Sequence, residues 1–516
     1  MTDHDDDPLI NLHIDGLMDG KAMLLSGEDA ENPVVTGTRH VIAHESLDDA
    51  PLLETHTEDG TVDVKDNLRS GGLVRRWAVL AVVGLIFVAN HADRQLLAVL
   101  IPAGIACQIG VNKSAASYND SSDCIPLNDT EIGVLLGPAF AVPFVIGGLP
   151  ISWLADRKPR VGILAVCLLG WTTAVALMTL AKSFYALLFL RALVGVFEAG
   201  CNPCTYVMLS DTFPGVDRHR SVAFGIYHTG VYVGMGLAFF GAPLGEAVGW
   251  RTTFTVFGTL GYILLIGLVW LYFHDLPRME YASLSTADDT LPPQRAWRKD
   301  SFTHVATTLL GLRRFRLLCL AASTTMLCRF SIAAYLPALY EHHFQLDPDE
   351  YGLTVGALII VGGSMSSVIG GKLSDVVDTD RHRGLVCATS QWLPLPFWLG
   401  ALIAPDKTVS FTCLFFAMLF GDAYLGVAVS MLQLAVPLRL RSRASMFYLG
   451  ANTLGGGFGP LAVAIMIQFC NISVQEALVG ISVLCLSLSG CLFFMSGRAP
   501  TVAQQMNERI RSDDRT

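Results

Sequence analysis

The amino-acid sequence predicts an all-α membrane protein with twelve transmembrane helices in two six-helix halves and both termini in the cytosol. The 516 residues are 52% hydrophobic and only 16% charged, whereas soluble globular chains carry about 25% charged residues. Apolar runs of about 20 residues, the length of a membrane-spanning helix, recur from Trp77 almost to the end of the chain. Basic residues between these runs are concentrated on one side of the predicted membrane.

The segment 1–72 precedes the first apolar run and is predicted to be a disordered, acidic cytosolic tail. Its first 70 residues include 17 acidic and 4 basic residues, so the tail accounts for the chain's net charge of −10. Few aromatic residues and no sustained periodicity are typical of disorder. The acidic start, with no apolar segment directly behind it, predicts that there is no cleavable signal peptide.

Six apolar runs within 73–273 predict the first helical bundle, and six more within 316–497 predict the second. The polar segment 274–315 is expected to be a cytosolic linker, and 498–516 a cytosolic C-terminal tail. In chain order, the predicted helices are 75–106, 130–154, 160–181, 183–210, 218–245, 251–273, 316–341, 350–374, 383–404, 409–436, 441–469 and 475–497.

The orientation follows from the loops, because cytosolic loops carry an excess of Lys and Arg. The loops opposite the basic ones hold little beyond Lys113, Lys182 and Lys407. Four N-glycosylation triplets, which begin at Asn112, Asn119, Asn128 and Asn471, all fall in these outer loops.

Cys107 and Cys124 share the first outer loop. Because this loop faces an oxidising compartment, the two thiols are candidates for a disulfide.

The two halves carry related loop sequences. "ISWLADRKPR" (Ile151–Arg160) follows the second predicted helix, and "GGKLSDVVDTDRHR" (Gly370–Arg383) follows the eighth. Asp156 and Asp375 occupy corresponding places, 375 − 156 = 219 residues apart. Two six-helix halves with matching signatures indicate a secondary transporter built from internal repeats.

These loops resemble the G-x-L-A-D-R-x-x-R/K motif of the major facilitator superfamily, although Ser152 replaces the usual glycine in the first copy. Within that superfamily the chain resembles the Spinster-like branch. The similarity lies in "NHADRQLLAVLIP", "LNDTEIGVLLGPAFAVPFVIGGLPISWLADR", "RALVGVFEAG", "LSDTFPGVDRHRSVAFGIYHTGVYVG" and "GWRTTF". The anion:cation symporter branch is the alternative, because the sequence of its fourth helix is also similar to the pattern R-x-L-x-G-x-x-E-A-G found here in "RALVGVFEAG".

The Spinster-like resemblance implies the major facilitator fold and the transport of lysophospholipids, sphingolipid metabolites or related amphiphiles, often coupled to protons. The rival branch implies an organic anion symporter. A non-transporting receptor or scaffold on the same fold is a further alternative, which has no need for charges inside the membrane. The sequence offers no nucleophile–base pair of the kind that would indicate an enzyme.

Four charged residues interrupt the apolar runs of the first half: Asp93 and Arg94 on helix 1, and Arg191 and Glu198 on helix 4. Charge at the bilayer centre costs at least about 2.5–3.5 kcal/mol, so such residues face a cavity or a partner. Arg191 and Glu198 lie seven residues apart, within about 20° on one helix face. Asp93 and Arg94 diverge by about 100°, which predicts cross-helix pairs of Asp93 with Arg191 and of Arg94 with Glu198 or an anionic ligand.

The resemblance assigns proton coupling and substrate binding to these four positions. Glu198 is the expected proton carrier, because a carboxylate that exchanges an arginine partner for apolar surroundings takes up a proton.

Further candidates for substrate binding are His91, His228, Arg329 and Asp422. His91 occupies a position that is usually aromatic in the family. It is expected either to bond a backbone carbonyl or to modulate Asp93. For Arg329 the alternatives are an anionic headgroup, bound through the guanidinium fork, and snorkelling from a helix end. In the superfamily, residues at the positions of Asp156, Arg157 and Asp375 gate the halves.

The expected partners are membrane lipids, an amphiphilic or anionic substrate, and protons, with no nucleic acid, metal or cofactor; the protein is expected to be a monomer. "NTLGGGFGP" (Asn452–Pro460) lacks the strand and lysine of a phosphate-binding loop and is typical of close helix packing. "DDDPLI" (Asp5–Ile10) and "DDAPLL" (Asp48–Leu53) resemble acidic dileucine signals that sorting adaptors bind. The predicted location is therefore the endosomal or lysosomal membrane, with the plasma membrane as the alternative.

Overall fold

The computed structural model describes residues 64–107, 124–155, 158–213, 220–274, 302–377, 379–436 and 440–500. Among these residues, twelve helices are long and apolar enough to cross a membrane, which confirms the predicted fold class. In chain order, spans 1 to 12 are Arg75–Ile105, Asp129–Ser152, Arg160–Leu180, Phe184–Thr212, Val222–Val248, Trp250–Phe273, Arg313–His342, Pro348–Leu373, Asp380–Ile403, Lys407–Leu434, Arg443–Cys470 and Val474–Arg498.

Several spans consist of two helical segments, because glycine, proline or a polar residue interrupts them. The described α-helices are Val64–Leu100, Asp129–Leu136, Pro138–Ala155, Arg160–Leu177, Phe184–Glu198, Cys201–Thr212, Arg220–Phe239, Gly241–Val248, Trp250–His274, Phe302–Gly311, Arg313–His342, Pro348–Val376, Asp380–Trp392, Pro394–Ile403, Lys407–Gly421, Tyr424–Leu434, Arg441–Cys470 and Val474–Arg498.

Two helices extend beyond the predicted boundaries. The first helix begins at Val64, inside the segment 1–72 that was predicted to be a disordered tail. Phe302–Gly311 forms a helix inside the predicted linker 274–315. It is stabilised by packing rather than by length, since Val305 and Leu309, one turn apart, are buried against span 7. The segments 1–63, 275–301 and 501–516 lie outside the described residues.

The two halves pack tightly through spans 5 and 8. A β-carbon built on Gly236 of span 5 would lie 2.5 Å from the carbonyl oxygen of Gly356 on span 8. Closer to the outer side, a β-carbon on Gly352 would lie 2.7 Å from the carbonyl oxygen of Phe239. Small residues allow helix backbones to approach this closely in membranes. We call this contact between spans 5 and 8 the outer seal.

Spans 2 and 11 form a corresponding contact on the other side of the molecule. A β-carbon on Gly137 would lie 2.0 Å from the carbonyl oxygen of Gly457, within the glycine run that predicted close packing. Gly137 and Gly356 are 356 − 137 = 219 residues apart, the spacing that also relates the two loop motifs. The internal repeat therefore extends from the loops to the helix contacts that join the halves.

The inner, predicted cytosolic ends of these spans are further apart. A β-carbon built on Gly225 of span 5 or on Gly371 of span 8 would meet no described atom within 4 Å. Val222 and Ile226 on the same turns of span 5 are about half exposed. Contact at the outer side with separation at the inner side is an inward-facing arrangement of the halves.

Candidate functional site

A cavity of about 40 Å³ lies between the two halves at the inner edge of their contact through spans 2 and 11. Its volume corresponds to room for about two or three water molecules. Spans 1, 2 and 4 contribute from the first half, and spans 7 and 11 from the second. The lining residues are Arg94, Gln95, Ala98, Leu136, Gly137, Phe140, Ala141, Arg191, Phe330, Ala334, Thr453 and Gly457.

Arg94 of span 1 forms an ion pair with Glu198 of span 4. Its Nε donates to Glu198 Oε2 at 2.6 Å, and the carboxylate is completely buried. Among the described residues, Arg94 Nη2 and Glu198 Oε1 have no hydrogen-bond partner. The pair is therefore only partly satisfied, and each partner keeps one atom with which to bind something else.

Arg191, one of the predicted partners of Asp93, instead binds the backbone of span 1. Its Nη1 donates to the carbonyl oxygen of Asp93 at 3.3 Å and its Nη2 to that of Arg94 at 2.7 Å. The prediction placed the Asp93 carboxylate opposite Arg191. The guanidinium instead reaches two backbone carbonyl oxygens of span 1.

The Asp93 carboxylate is buried but forms no ion pair within 4 Å in the described part of the chain. The site therefore contains one carboxylate held by an arginine, that of Glu198, and one that is not. When both carboxylates are ionised, the two arginines balance their charge.

Aromatic rings position the two arginines. The guanidinium carbon of Arg94 lies 5.0 and 4.9 Å from the ring centroids of Phe140 and Phe144, and that of Arg191 lies 5.0 Å from Phe140. Cation–π contacts of this kind contribute about 0.5–2 kcal/mol each. Gly195 permits this arrangement, because a β-carbon there would lie 2.5 Å from the carbonyl oxygen of Phe140.

The two histidines lie on the neighbouring faces of spans 1 and 5. His91 Nδ1 lies 3.1 Å from the carbonyl oxygen of Phe87, one turn earlier. This is the backbone hydrogen bond that was one of the two alternatives predicted for His91. His228 packs against the rings of Tyr206 and Tyr227 at centroid distances of 5.6 and 5.7 Å. Neither side chain is among those that line the cavity.

Arg329 and Asp422, which the sequence offered as separate candidates, form an ion pair between spans 7 and 10. Arg329 also donates to the carbonyl oxygen of Gly421, and its guanidinium carbon lies 5.6 Å from the Tyr424 ring centroid. Both charged side chains are mostly buried. Arg329 therefore does not snorkel to the membrane surface.

The gating candidates are described only in part. Asp156 and Arg157 lie outside the described residues, and Asp375 lies in the helix Pro348–Val376, its side chain not described. Their predicted gating role stays a prediction.

In the outer loops, Cys107 and Cys124 form a disulfide with Cα atoms 5.1 Å apart. Asn112 and Asn119 lie outside the described residues. Asn128 caps the helix Asp129–Leu136 by accepting a hydrogen bond from Glu131 N. Asn471 is exposed after span 11, with a φ of 53°. The four glycosylation sites stay predictions.

Three residues near the site were not singled out from the sequence. Gln95 Nε2 donates to the carbonyl oxygen of Ala333 at 2.5 Å, joining spans 1 and 7 across the halves. Asn90 is fully buried, and its side-chain amide has no partner among the described residues. Tyr232 of span 5 is buried, and its ring packs beside Gly363 of span 8 in the other half. Asn90 and Gln95 flank Asp93 and Arg94, so polarity in an apolar run was the available signal.

The family model of the Major Facilitator Superfamily matches residues 83–315 and 318–512, which together make up most of the chain. This chain belongs to the Major Facilitator Superfamily. As a member of that superfamily it is a transporter and not an enzyme.

Three curated relatives illustrate its place within the superfamily. An MFS-type efflux pump of Mycolicibacterium smegmatis is 25% identical, over 78% of this chain and 86% of the pump. A D-galactonate transporter of Escherichia coli is 29% identical, over 40% of this chain and 43% of that transporter. Protein spinster homolog 1 of Xenopus laevis is 22% identical, over 79% of this chain and 76% of the homolog.

A crystal structure of a bacterial homolog to the human lysosomal transporter Spinster, in an inward-facing and unoccupied conformation, shares the fold. It has a TM-score of 0.63 and 22% sequence identity, and the match covers 82% of this chain and 97% of that structure. The protein is thus a major facilitator and a multi-pass integral membrane protein, and it is similar to Spinster proteins, whose motifs its first half resembles.

Proposed function

We propose that this protein is a proton-coupled secondary transporter that moves an amphiphile with an anionic or zwitterionic headgroup, such as a lysophospholipid or sphingolipid, by alternating access. The observation that carries this proposal is the ion pair of Arg94 with Glu198 at the wall of a cavity between the halves. It joins a group that can take up a proton to a group that binds anions.

The charges of the site link the proton to the substrate. When Asp93 and Glu198 are both ionised, they balance Arg94 and Arg191, and the site carries no net charge. A proton taken up by Glu198 releases the Arg94 guanidinium from its carboxylate partner and leaves one net positive charge. Anionic headgroups then bind more strongly, and by linkage a bound headgroup favours protonation. Proton and substrate therefore travel together.

The lining of the cavity favours an amphiphile. Four lining residues are polar, namely Arg94, Gln95, Arg191 and Thr453, and the remaining eight are apolar or glycine. Phe140 and Phe330 offer aromatic surface on opposite halves. A headgroup would bind the arginines, whereas an acyl or sphingoid chain would lie along the apolar walls. At about 40 Å³ the cavity is too small for such a chain, so the chain would occupy the space between the separated inner ends of the halves.

The rival substrate class is a small organic anion, which the similarity of part of the chain to a D-galactonate transporter favours. Two arginines at one cavity would also suit a carboxylate. A non-transporting scaffold is disfavoured, because buried charges with unsatisfied atoms cost stability without serving a scaffold.

For the cellular location we propose the endosomal or lysosomal membrane. Two acidic dileucine-like segments in the tail support this location through sorting adaptors. The similarity of the fold to a bacterial homolog of the human lysosomal transporter Spinster supports it as well. Both segments lie outside the described residues. The plasma membrane remains the alternative.

The purified protein in proteoliposomes tests this function. We expect uptake of a member of a lysophospholipid and sphingolipid panel, accelerated by an imposed pH gradient. Glu198→Gln should abolish the acceleration while substrate exchange without a gradient continues, because the amide oxygen can still accept a hydrogen bond from Arg94 but the amide cannot take up and release a proton as a carboxylate does. Glu246→Gln is the matched control, since Glu246 is exposed at the outer end of span 5.

Each outcome of this experiment is decisive. Uptake of a carboxylate and of no amphiphile would replace the proposed substrate class with an organic anion. A normal response of Glu198→Gln to the gradient would rule out Glu198 as the proton carrier.

A further inference from the structure

Pro337 leaves one backbone carbonyl group of span 7 without its usual partner. It lies inside the helix Arg313–His342, and a proline has no N–H to donate to the carbonyl group four residues earlier. In this helix that carbonyl group belongs to Ala333. An unpaired carbonyl group within a membrane is costly, so a donor from elsewhere is needed to satisfy it.

The donor is Gln95 of span 1, which reaches span 7 from the first half. Its Nε2 donates to the carbonyl oxygen of Ala333 at 2.5 Å. Because a carbonyl oxygen only accepts hydrogen bonds, the nitrogen of the Gln95 amide, and not its oxygen, must face Ala333. The missing N–H of Pro337 therefore fixes the orientation of the Gln95 side chain.

The amide oxygen of Gln95 is open to the cavity between the halves. Gln95 is one of the residues that line this cavity. No described group donates a hydrogen bond to Gln95 Oε1, and this oxygen is not among the buried polar atoms that lack a partner. The cavity wall therefore carries a hydrogen-bond acceptor whose position is fixed and whose lone pairs are unused.

Two donors accompany this acceptor in the same wall. Arg94 Nη2 and Arg191 Nε have no hydrogen-bond partner among the described residues, and both arginines line the cavity. Guanidinium donors suit an anionic oxygen, whereas an amide oxygen suits a hydroxyl or ammonium group. The described residues that line the cavity include no carboxylate, so Gln95 is the side chain best placed to accept a hydrogen bond from a bound molecule.

We propose that Gln95 is a specificity-determining residue, and that the substrate headgroup carries a hydroxyl or ammonium group next to its anionic group. The two arginines bind the anionic oxygens, and Gln95 Oε1 accepts a hydrogen bond from the neighbouring donor. Pro337 is a positioning residue, because it leaves free the Ala333 carbonyl group that anchors the amide. This inference rests on the proposed function, since it describes the substrate of the same site.

Ligand binding to the purified full-length protein in detergent, measured by the rise in unfolding temperature, tests this inference. The probes are oleoyl lysophosphatidic acid, which has a hydroxyl group beside its phosphate-bearing carbon, and its deoxy analogue, which lacks only that hydroxyl group. One hydrogen bond changes a binding constant by about two- to tenfold. We expect the parental protein to bind lysophosphatidic acid more tightly than the analogue by this factor.

Gln95→Met keeps the length of the side chain but removes the amide. Binding of lysophosphatidic acid should weaken to the level of the analogue, and binding of the analogue should not change, because only the first probe uses the Gln95 oxygen. Thr453→Val is the matched control. Thr453 also lines the cavity, but its hydroxyl group donates to the carbonyl oxygen of Leu449 in its own helix at 2.9 Å, so this variant should keep the parental preference.

A combined variant separates specificity from stability. Gln95→Met leaves the Ala333 carbonyl group without a donor, which destabilises the protein. Pro337→Ala restores an N–H four residues after Ala333, so the helix can satisfy this carbonyl group itself. Gln95→Met combined with Pro337→Ala should therefore unfold at a higher temperature than Gln95→Met alone and should still bind the two probes equally.

A preference for the hydroxyl group that survives in Gln95→Met or returns in the combined variant would overturn the role of Gln95. So would an equal loss of binding for both probes in Gln95→Met, because that result indicates a merely structural role. Parental binding without any preference would contradict the proposed headgroup.

Glycerate and propionate, which are carboxylates with and without hydroxyl groups, make the same comparison for a small organic anion. If neither amphiphile binds, the amphiphile class of the proposed function fails. A preference for glycerate that Gln95→Met abolishes would then still support the role of Gln95, whereas no preference within either pair of probes would overturn it.

Discussion

Replacement of Gly236 by alanine tests the inward-facing arrangement and the closeness of the outer seal. In the structure a β-carbon on Gly236 would lie 2.5 Å from the carbonyl oxygen of Gly356 and 2.4 Å from a side-chain carbon of Ile360, whereas ordinary contacts begin at 3.4 Å. The isoleucine side chain can turn aside, but the backbone carbonyl cannot. Spans 5 and 8 must therefore part by nearly 1 Å to admit the methyl group.

Overpacking of this kind costs about 1–3 kcal/mol. Because the clash joins the two halves, the cost falls on the state in which the outer seal is closed and is relieved when the outer side opens. The equilibrium should shift towards the outward-open state by about 5- to 150-fold. The fold of each half should be unaffected, since Gly236 lies in the regular helix Arg220–Phe239.

A cysteine introduced at Ala242, which is fully buried in the outer seal, reports outward opening through its reaction with a membrane-impermeant maleimide added from outside, in a background where the exposed Cys470 is replaced by serine. Thermal unfolding in detergent measures stability. Gly267→Ala is the control, since a β-carbon on Gly267 in span 6 would meet no described atom within 4 Å. Faster labelling of Gly236→Ala with an unchanged unfolding temperature is expected. Parental labelling together with a lower unfolding temperature would refute the reasoning, because the cost would then have fallen on the fold and not on one state of the transporter.

Two further predictions concern the site and the location of the protein. Arg191→Lys should lower uptake in proteoliposomes at least about tenfold, because one ammonium group cannot replace the fork that binds two carbonyl groups of span 1; uptake at the parental rate would show that only the charge matters. Alanine at Leu9, Ile10, Leu52 and Leu53 together should move a fluorescent fusion from internal membranes to the cell surface, and an unchanged distribution would argue against adaptor-mediated sorting.

Most of the fold could be predicted from the sequence, because the membrane imposes a simple rule. A helix must carry about 20 apolar residues to cross the hydrocarbon core. Whether a segment meets this requirement depends only on residues that are close together in the chain. The differences lie where that rule does not apply. The helix Phe302–Gly311 lies outside the spans and is stabilised because Val305 and Leu309 are buried against span 7. A hydropathy profile does not predict such a tertiary contact.

The candidate site was predictable where its residues obey local geometry. Arg191 and Glu198 share a helix face because they are seven residues apart, and polar residues in apolar runs identified Asp93 and Arg94. The partners were harder to predict. Arg191 binds backbone carbonyl groups and not the Asp93 carboxylate, because partner choice depends on how closely and at what rotation two helices pack.

By itself, the sequence determined which segments enter the membrane, which way they run, and which of them carry charge, since each of these properties depends on residues close together in the chain. Only the tertiary structure decided that Arg329 binds Asp422 and that Gln95 donates to the carbonyl oxygen of Ala333 in the other half. Those contacts join residues 93 or more positions apart. They depend on glycine contacts such as Gly236 with Gly356, which set the distance between the halves.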